Sequence, residues 1–196
     1  MKRPQLIQLA GPAQVGKSTT ANALVNLLEK HGKQACTVSY AGHLYRVVSL
    51  LTSIPEEWLR AHKATPITKD ETGNPVFWGR TPRQILQIVG EGMRQSFGTD
   101  IWLGGIISLL EYKGVGGLDF IIVDDARHVP EFKLGRVVEL QRTGIDYTCD
   151  HPSAMPPPED YVWRRVSIDG SNPQEVAHMI ELLMWRDGLL ETNHRG

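Results

Sequence analysis

Residues Gly11 to Ser18 read GPAQVGKS, a G-x-x-x-x-G-K-[ST] string. These residue types at this spacing can hold a polyphosphate. The glycines permit a tight turn whose backbone N–H groups converge on phosphate oxygens. A helix that follows offers its positive N-terminus to the same anion. The Lys17 ammonium can reach the β- and γ-phosphates, and the Ser18 hydroxyl can ligate Mg²⁺. Gly11, Ala13, Gln14, Val15, Gly16, Lys17, Ser18 and Thr19 are therefore the candidate residues for the phosphate chain of a nucleotide.

A second constellation is Phe120-Ile121-Ile122-Val123-Asp124, followed by Asp125, Ala126 and Arg127. An apolar run ending in an acid fits a buried strand whose carboxylate emerges at the end of the sheet. There it can hold Mg²⁺ directly or through water, or simply cap the strand. Strand alternation decides which of Asp124 and Asp125 faces the metal, so both stay candidates. A third lies on the helical stretch Thr81–Phe97, where Arg83, Gln87, Gly90 and Arg94 share a stripe. Two guanidinium groups and an amide can hold a phosphate monoester and a base edge; the alternative is a solvated charged face. Gly90 in mid-helix costs ~1 kcal/mol against alanine, which points to close packing there. Arg142 can stack on a nucleobase or stand as a surface arginine. His43, His62, His128 and His151 have no ligand spacing such as H-E-x-x-H.

The elements that must position these groups alternate strand and helix, which argues for a mostly parallel sheet covered by helices. Strands are expected at Gln5–Ala10, Gln34–Tyr40, Asp119–Asp124, Arg136–Gln141 and Trp163–Ile168. Helices are expected at Thr19–Lys30, Ala41–Thr52, Pro55–Ala64, Thr81–Phe97, Asp100–Tyr112 and Pro173–Arg186. Thr81 and Gln84 form a capping box with Pro82 at the first helical position, and Asn172 caps the last helix. Ile85, Leu86, Val89, Met93 and Phe97 should face the core. Thr65–Arg80 reads as an exposed loop, with a Gly73-Asn74-Pro75 turn signal. At 196 residues the chain fits one domain. A net charge of −1 gives no pull toward nucleic acid or anionic membrane, and no stretch has the ~18 apolar residues of a membrane span. Cys36 and Cys149 lie far apart in the sequence and read as free thiols of a reducing, cytoplasmic setting.

Residues 143–160 contain Gly144, Pro152 and the run Pro156 to Pro158, which disfavours a helix. A long loop between the last two strands lies where open α/β sheets bind ligands, so it is a lid candidate or a passive loop. It carries no Arg or Lys; its charges are Asp146, Asp150, Glu159 and Asp160. Such a segment repels phosphates rather than neutralising them; Arg127, just past the 120–124 strand, can emerge beside the phosphates or pair with Glu131 on the surface.

From the phosphate loop to about Glu175 the chain resembles phage-type deoxynucleoside monophosphate kinases, a branch of the P-loop nucleoside monophosphate kinases. Tyr40-Ala41-Gly42-His43-Leu44 is similar to that family's F-A-x-x-L. Thr81, Arg83, Gln87 and Gly90, with Ile85 and Leu86 as the apolar pair, are similar to its T-x-R-x-L-L-Q-x-x-G-x-x-x-x-R helix, with Arg94 one position before the pattern's last arginine. Asp100 and Trp102 match its D-x-W, and Asp125, Arg127 and Glu131 match its D-x-R-x-x-x-E. The family's G-T-E is Gly90-Glu91-Gly92 here, and its late H-x-S-E is only His151-Pro152-Ser153-Ala154.

The resemblance implies a three-layer P-loop kinase fold: a mostly parallel five-stranded sheet with helices on both faces. It implies a single domain over 1–196, with an acceptor-binding helical region at about 41–112 and a lid-like loop at about 143–160. It implies ATP and Mg²⁺, with ATP on residues 11–19 and Arg142, and Mg²⁺ on Ser18 and Asp124 or Asp125. Lys17, Arg127 and Asp125 would be the catalytic groups. A deoxynucleoside monophosphate would lie against Arg46, Arg80, Arg83, Gln87, Arg94 and Trp102. The implied partners are small nucleotides, not nucleic acid or membrane; a homodimer and, for a phage-encoded chain, the host cytoplasm are compatible with it. The alternatives are a P-loop kinase for another small metabolite, a catalytically dead relative, or a nucleotide-switch module. The last typically reads guanine with N-K-x-D, and the nearest string, Thr68-Lys69-Asp70-Glu71, lacks the final Asp and precedes the 120–124 strand.

Overall fold

The computed structural model describes residues 3–67, 79–111, 117–147 and 155–190. In chain order the elements are β1 (Gln5–Ala10), α1 (Lys17–Lys30), β2 (Ala35–Val38), α2 (Ala41–Thr52), α3 (Glu56–Ala61), α4 (Pro82–Phe97), a 3-10 turn (Ile101–Leu103) and α5 (Gly104–Glu111). There follow β3 (Phe120–Val123), α6 (Val129–Phe132), β4 (Arg136–Gln141), a second 3-10 turn (Glu159–Tyr161), β5 (Val162–Ser167) and α7 (Pro173–Arg186). They form two compact units, one of Met1–Ser39 with Ser108–Gly196 and one of Tyr40–Ile107.

The first unit is an α/β sandwich around a five-stranded sheet of order β2-β3-β1-β4-β5, with every neighbouring pair parallel. Alternation sorts the strands into two faces. Ile7, Leu9, Phe120, Ile122, Val138, Leu140, Val166 and Ile168 pack with Ala21, Leu24 and Leu28 of α1 and with Val176, Ala177, Ile180 and Met184 of α7. Phe132 of α6 lies beside Tyr161 of the second 3-10 turn, with ring centroids 6.3 Å apart. The buried carboxylate of Glu181 ties the α1 and α7 ends together: it lies 2.6 Å from His31 Nε2 and accepts the Trp185 indole N–H at 3.2 Å.

The second unit is helical. Tyr45, Val48, Leu59 and Ile85 form its core, with Leu44, Trp58, Ile67, Leu86 and Val89 packed around them. Thr81 and Gln84 cap α4 reciprocally, as their spacing predicts, and Asn172 and Glu175 do the same for α7. At Gly90 an added Cβ would stand 3.1 Å from Leu44 Cδ2, so Leu44 of α2 packs closely on α4 there and would have to shift by a few tenths of an ångström to admit a methyl group. This is the close packing that the mid-helix glycine foretells. Met93 is only half-buried and Phe97 is 66% exposed, against the expectation for both. The apolar cluster covers the first turns of α4 and stops short of its end.

Other departures are local. Residues 100–111 do not make one helix, since a 3-10 turn precedes α5, which opens at the Gly104-Gly105 pair; Tyr112, the expected end, lies outside the described residues. The α3 helix ends at Ala61, where the His62 N–H turns back to the Trp58 carbonyl oxygen at 2.9 Å. Pro55 is its extended N-cap, not its first helical residue. The short α6 was not expected; His128 and Glu131 cap it, but it is too brief to display a period. The exposed loop expected at 65–80 falls mostly outside the described residues, though its ends are joined through Ile67 N–H to the Arg80 carbonyl oxygen at 2.8 Å. Cys36 lies on β2 as a free thiol, pushed up in pKa by burial; Cys149 is outside the described residues.

Candidate functional site

Strand β1 is central, and the chain leaves its carboxyl end directly into the phosphate loop. Gly11 has φ 147°, Gln14 φ 64° and Gly16 φ 101°, so the loop turns through conformations that side chains rarely adopt. A Cβ on Gly11 would sit 2.7 Å from the Leu140 carbonyl oxygen and 3.0 Å from Val15 Cγ1. The glycine is therefore required by the close approach of β4 as well as by φ. Val15 is fully buried and anchors the loop in the core, leaving its backbone to line the turn. Ala13, Gln14, Ser18 and Thr19 are exposed around the concavity. No side chain caps α1, whose N-cap is Gly16. The first-turn N–H groups, which have no carbonyl partner within a helix, therefore face the loop.

Lys17 Nζ folds over this turn and donates to the carbonyl oxygens of Gly11 and Pro12, at 2.7 Å each. The adjacent strand β3 ends at Val123 and delivers two acids in succession. Asp124 accepts the Ser18 hydroxyl and feels the Lys17 charge. Burial raises its pKa more than these two contacts lower it, and the neighbouring Asp125 raises it further. Asp125 points elsewhere, accepting the Ser39 hydroxyl at 2.6 Å beyond the end of β2. The two carboxylates left open by alternation thus separate: Asp124 goes to the phosphate loop and Asp125 to the β2 edge.

Arg127 is exposed at the turn after β3. Its backbone is fixed, because the buried Glu131 carboxylate accepts the N–H groups of Arg127 and His128 at 2.6 and 3.0 Å. That carboxylate caps α6.

Beside the loop lies a hollow of about 320 Å³, lined by Pro12, by Gln141 to Thr143, by Ile145 to Tyr147, and by Ser167 and Asp169. Arg142 is on its wall, as base stacking requires. Sequence reasoning missed the other lining residues. It also missed Glu139, a 4% exposed carboxylate in the apolar strand β4. A charge inside R-V-V-E-L-Q was the signal available. Of the lid-like loop expected at 143–160, residues 148–154 are outside the description.

The acceptor candidates belong to the helical unit. Arg83 and Gln87 are exposed on α4; Arg94 is half-buried, with Nη1 3.7 Å from the Cβ position of Gly90. Trp102 is 6% exposed and donates its indole N–H to the Gly90 carbonyl oxygen at 3.3 Å, so it braces α4 from inside. Arg46 lies 3.7 Å from Glu56 with most of its side chain in solvent, and Arg80 is exposed. Among the described residues no group of three or more His, Cys, Asp or Glu forms a metal cluster, and no helix is long and apolar enough to cross a membrane.

No family model matches this sequence, and no curated protein matches it. Solved structures do resemble the fold. An APS kinase from Mycobacterium tuberculosis is 14% identical at a TM-score of 0.48, covering 94% of this chain and 99% of its own. A dephospho-CoA kinase from Campylobacter jejuni is 9% identical at 0.47, covering 94% and 98%. A thymidylate kinase from Candida albicans is 13% identical at 0.45, covering 96% and 94%.

Proposed function

We propose that this protein is a kinase that transfers the γ-phosphoryl group of ATP to a deoxynucleoside monophosphate. The observation that carries the reading is the convergence of Lys17, Ser18 and the half-buried Asp124 on a glycine-built turn at the end of β1. A passive turn has no use for a half-buried carboxylate beside a lysine and a hydroxyl.

The residues fit Mg²⁺. A carboxylate and a hydroxyl are hard oxygen donors, and Mg²⁺ prefers one or two such ligands together with phosphate oxygens and water. Ser18 and Asp124 would hold the ion, which when bound would neutralise charge on the transferred phosphoryl group. Backbone N–H groups of the loop and α1 would hold the phosphate oxygens. Lys17 would leave the Gly11 and Pro12 carbonyl oxygens for the β/γ-phosphates. The base would enter the hollow against Arg142. The acceptor is itself a phosphate nucleophile, so no strong general base is needed, and rate comes from positioning and charge neutralisation.

Arg127 would supply the guanidinium. It follows the metal-side strand, and the carboxylate that could have paired with it is occupied with backbone N–H groups. Arg127→Lys is expected to lower kcat by ~10², because a point charge does not replace a bidentate fork. A near-normal kcat in that variant removes Arg127 from the chemistry.

The acceptor phosphate would bind on the Arg83, Gln87 and Arg94 stripe of α4. Arg83→Ala is expected to raise KM for the monophosphate at least tenfold while KM for ATP stays within twofold, since a charged hydrogen bond contributes ~1.5–3 kcal/mol. Equal changes in both KM values would place the acceptor elsewhere. The direct test of the function is ADP release with Mg-ATP across the common deoxy- and ribonucleoside monophosphates. Turnover with none of them, but with another phosphorylatable metabolite, would keep the kinase and change its substrate.

A further inference from the structure

The wall of the hollow that carries Arg142 is held from behind by two carboxylates. At the tip, Arg142 to Ile145 close a turn through Ile145 N–H to the Arg142 carbonyl oxygen at 3.1 Å. Asp169 clasps that turn, accepting the Thr143 N–H and hydroxyl at 2.7 Å each. At the base, the Tyr147 hydroxyl donates to Glu139 Oε1 at 3.1 Å. Glu139 lies under the wall with its other oxygen accepting Arg165 Nε at 2.7 Å and Gln141 Nε2 at 3.3 Å. Arg165 in turn donates through Nη1 to Glu159 at 2.7 Å.

Glu139 is odd as a structural residue. It stands in the middle of a sheet at 4% exposure, in register with Ala10, the last residue before the phosphate loop. A buried carboxylate costs stability unless every lone pair is used, and an apolar residue would serve the strand better. What the carboxylate adds is a fixed acceptor under Tyr147. Burial and the adjacent Glu139 charge both push the Tyr147 phenol far up in pKa, so it stays a donor across all ordinary pH.

We propose that Tyr147 is a positioning residue for the nucleotide base: anchored on Glu139, it holds the Arg142–Tyr147 wall in the shape that grips the base. This rests on reading the phosphate loop as a nucleotide site. Tyr147 would act through Arg142 and the wall and contribute nothing to phosphate binding.

The test compares two ligands on the full chain by calorimetry: Mg-ATP, and Mg-tripolyphosphate, which engages the phosphate loop but has no base. In the native protein ATP should bind at least tenfold tighter than tripolyphosphate. Tyr147→Phe should weaken ATP about tenfold and leave tripolyphosphate within twofold, and in turnover KM for ATP should rise by the same factor with kcat within twofold. Thr143→Val, which removes a hydroxyl from the other clasp and keeps the backbone bond, should show the same split more weakly. Equal weakening of both ligands, or unchanged ATP affinity in both variants, overturns the positioning role while the phosphate loop stands. Equal native affinity for the two ligands overturns it as well, since no base is then gripped. Binding of neither ligand by the native protein overturns both this inference and the kinase reading.

Discussion

Lys17→Ala is expected to abolish the proposed phosphoryl transfer, lowering kcat by about 10³ or more, and to leave the thermal midpoint nearly unchanged. The ammonium lies over the turn on two carbonyl oxygens, and its stem is not part of the apolar cluster around α1. Truncation therefore opens no core cavity. It does remove the one side-chain cation that the loop sequence places at the β/γ-phosphates. Steady-state turnover with thermal unfolding checks both halves. Comparable turnover in the folded variant would withdraw the phosphate-loop assignment altogether.

Asp124→Asn is expected to lower turnover at fixed Mg²⁺ by about 10³, and Asp125→Asn by far less. Asp124 shares the Ser18 hydroxyl, whereas Asp125 is engaged by Ser39. A second signature concerns stability. The Asp124 pKa is raised, chiefly by burial. Its protonated form is thus favoured in the fold, and stability from this group is lost as pH rises through the raised value. At neutral pH without metal the ionised carboxylate is a liability, so Asp124→Asn should raise the thermal midpoint of the ligand-free protein. With Mg-nucleotide present the order should reverse, because only the native protein gains from binding. Thermal scans with and without Mg-ATP read the reversal. A variant that is less stable in both conditions, or an Asp125→Asn with the larger kinetic loss, would move the metal role away from Asp124.

What was legible in the chain followed from strong local signals. GPAQVGKS announces both its turn and the strand and helix around it, because glycine conformations and phosphate binding constrain every position. Thr81 with Gln84, and Asn172, mark their helix starts because capping is decided within one turn. The strands emerged as short apolar runs. The choice between Asp124 and Asp125 was not legible, since one residue of strand extension reverses it. The D-x-R resemblance favoured Asp125 as the catalytic acid; the hydrogen bonds favour Asp124 for the metal. Phe97 shows a helical period outlasting the surface that buries it. Glu139 and Tyr147 are eight positions apart and meet only because β4 and the segment after it fold onto one face. No periodicity within either segment encodes such a meeting.

The order of the sheet has a consequence for how the chain is made. β1 and β2 are synthesised first, yet they are not neighbours; β3 lies between them, and β4 flanks β1 on its other side. A ribosome that has reached residue 107 has therefore produced two strands with no mutual hydrogen bonds to form, followed by a contiguous helical unit. The helical unit can close on itself as it emerges, whereas the sheet must wait for Phe120–Val123 to stitch its edges together. During that interval the glycine-rich turn after β1 has no sheet beside it, so any ligand site built on that turn takes shape only once β3 has been made.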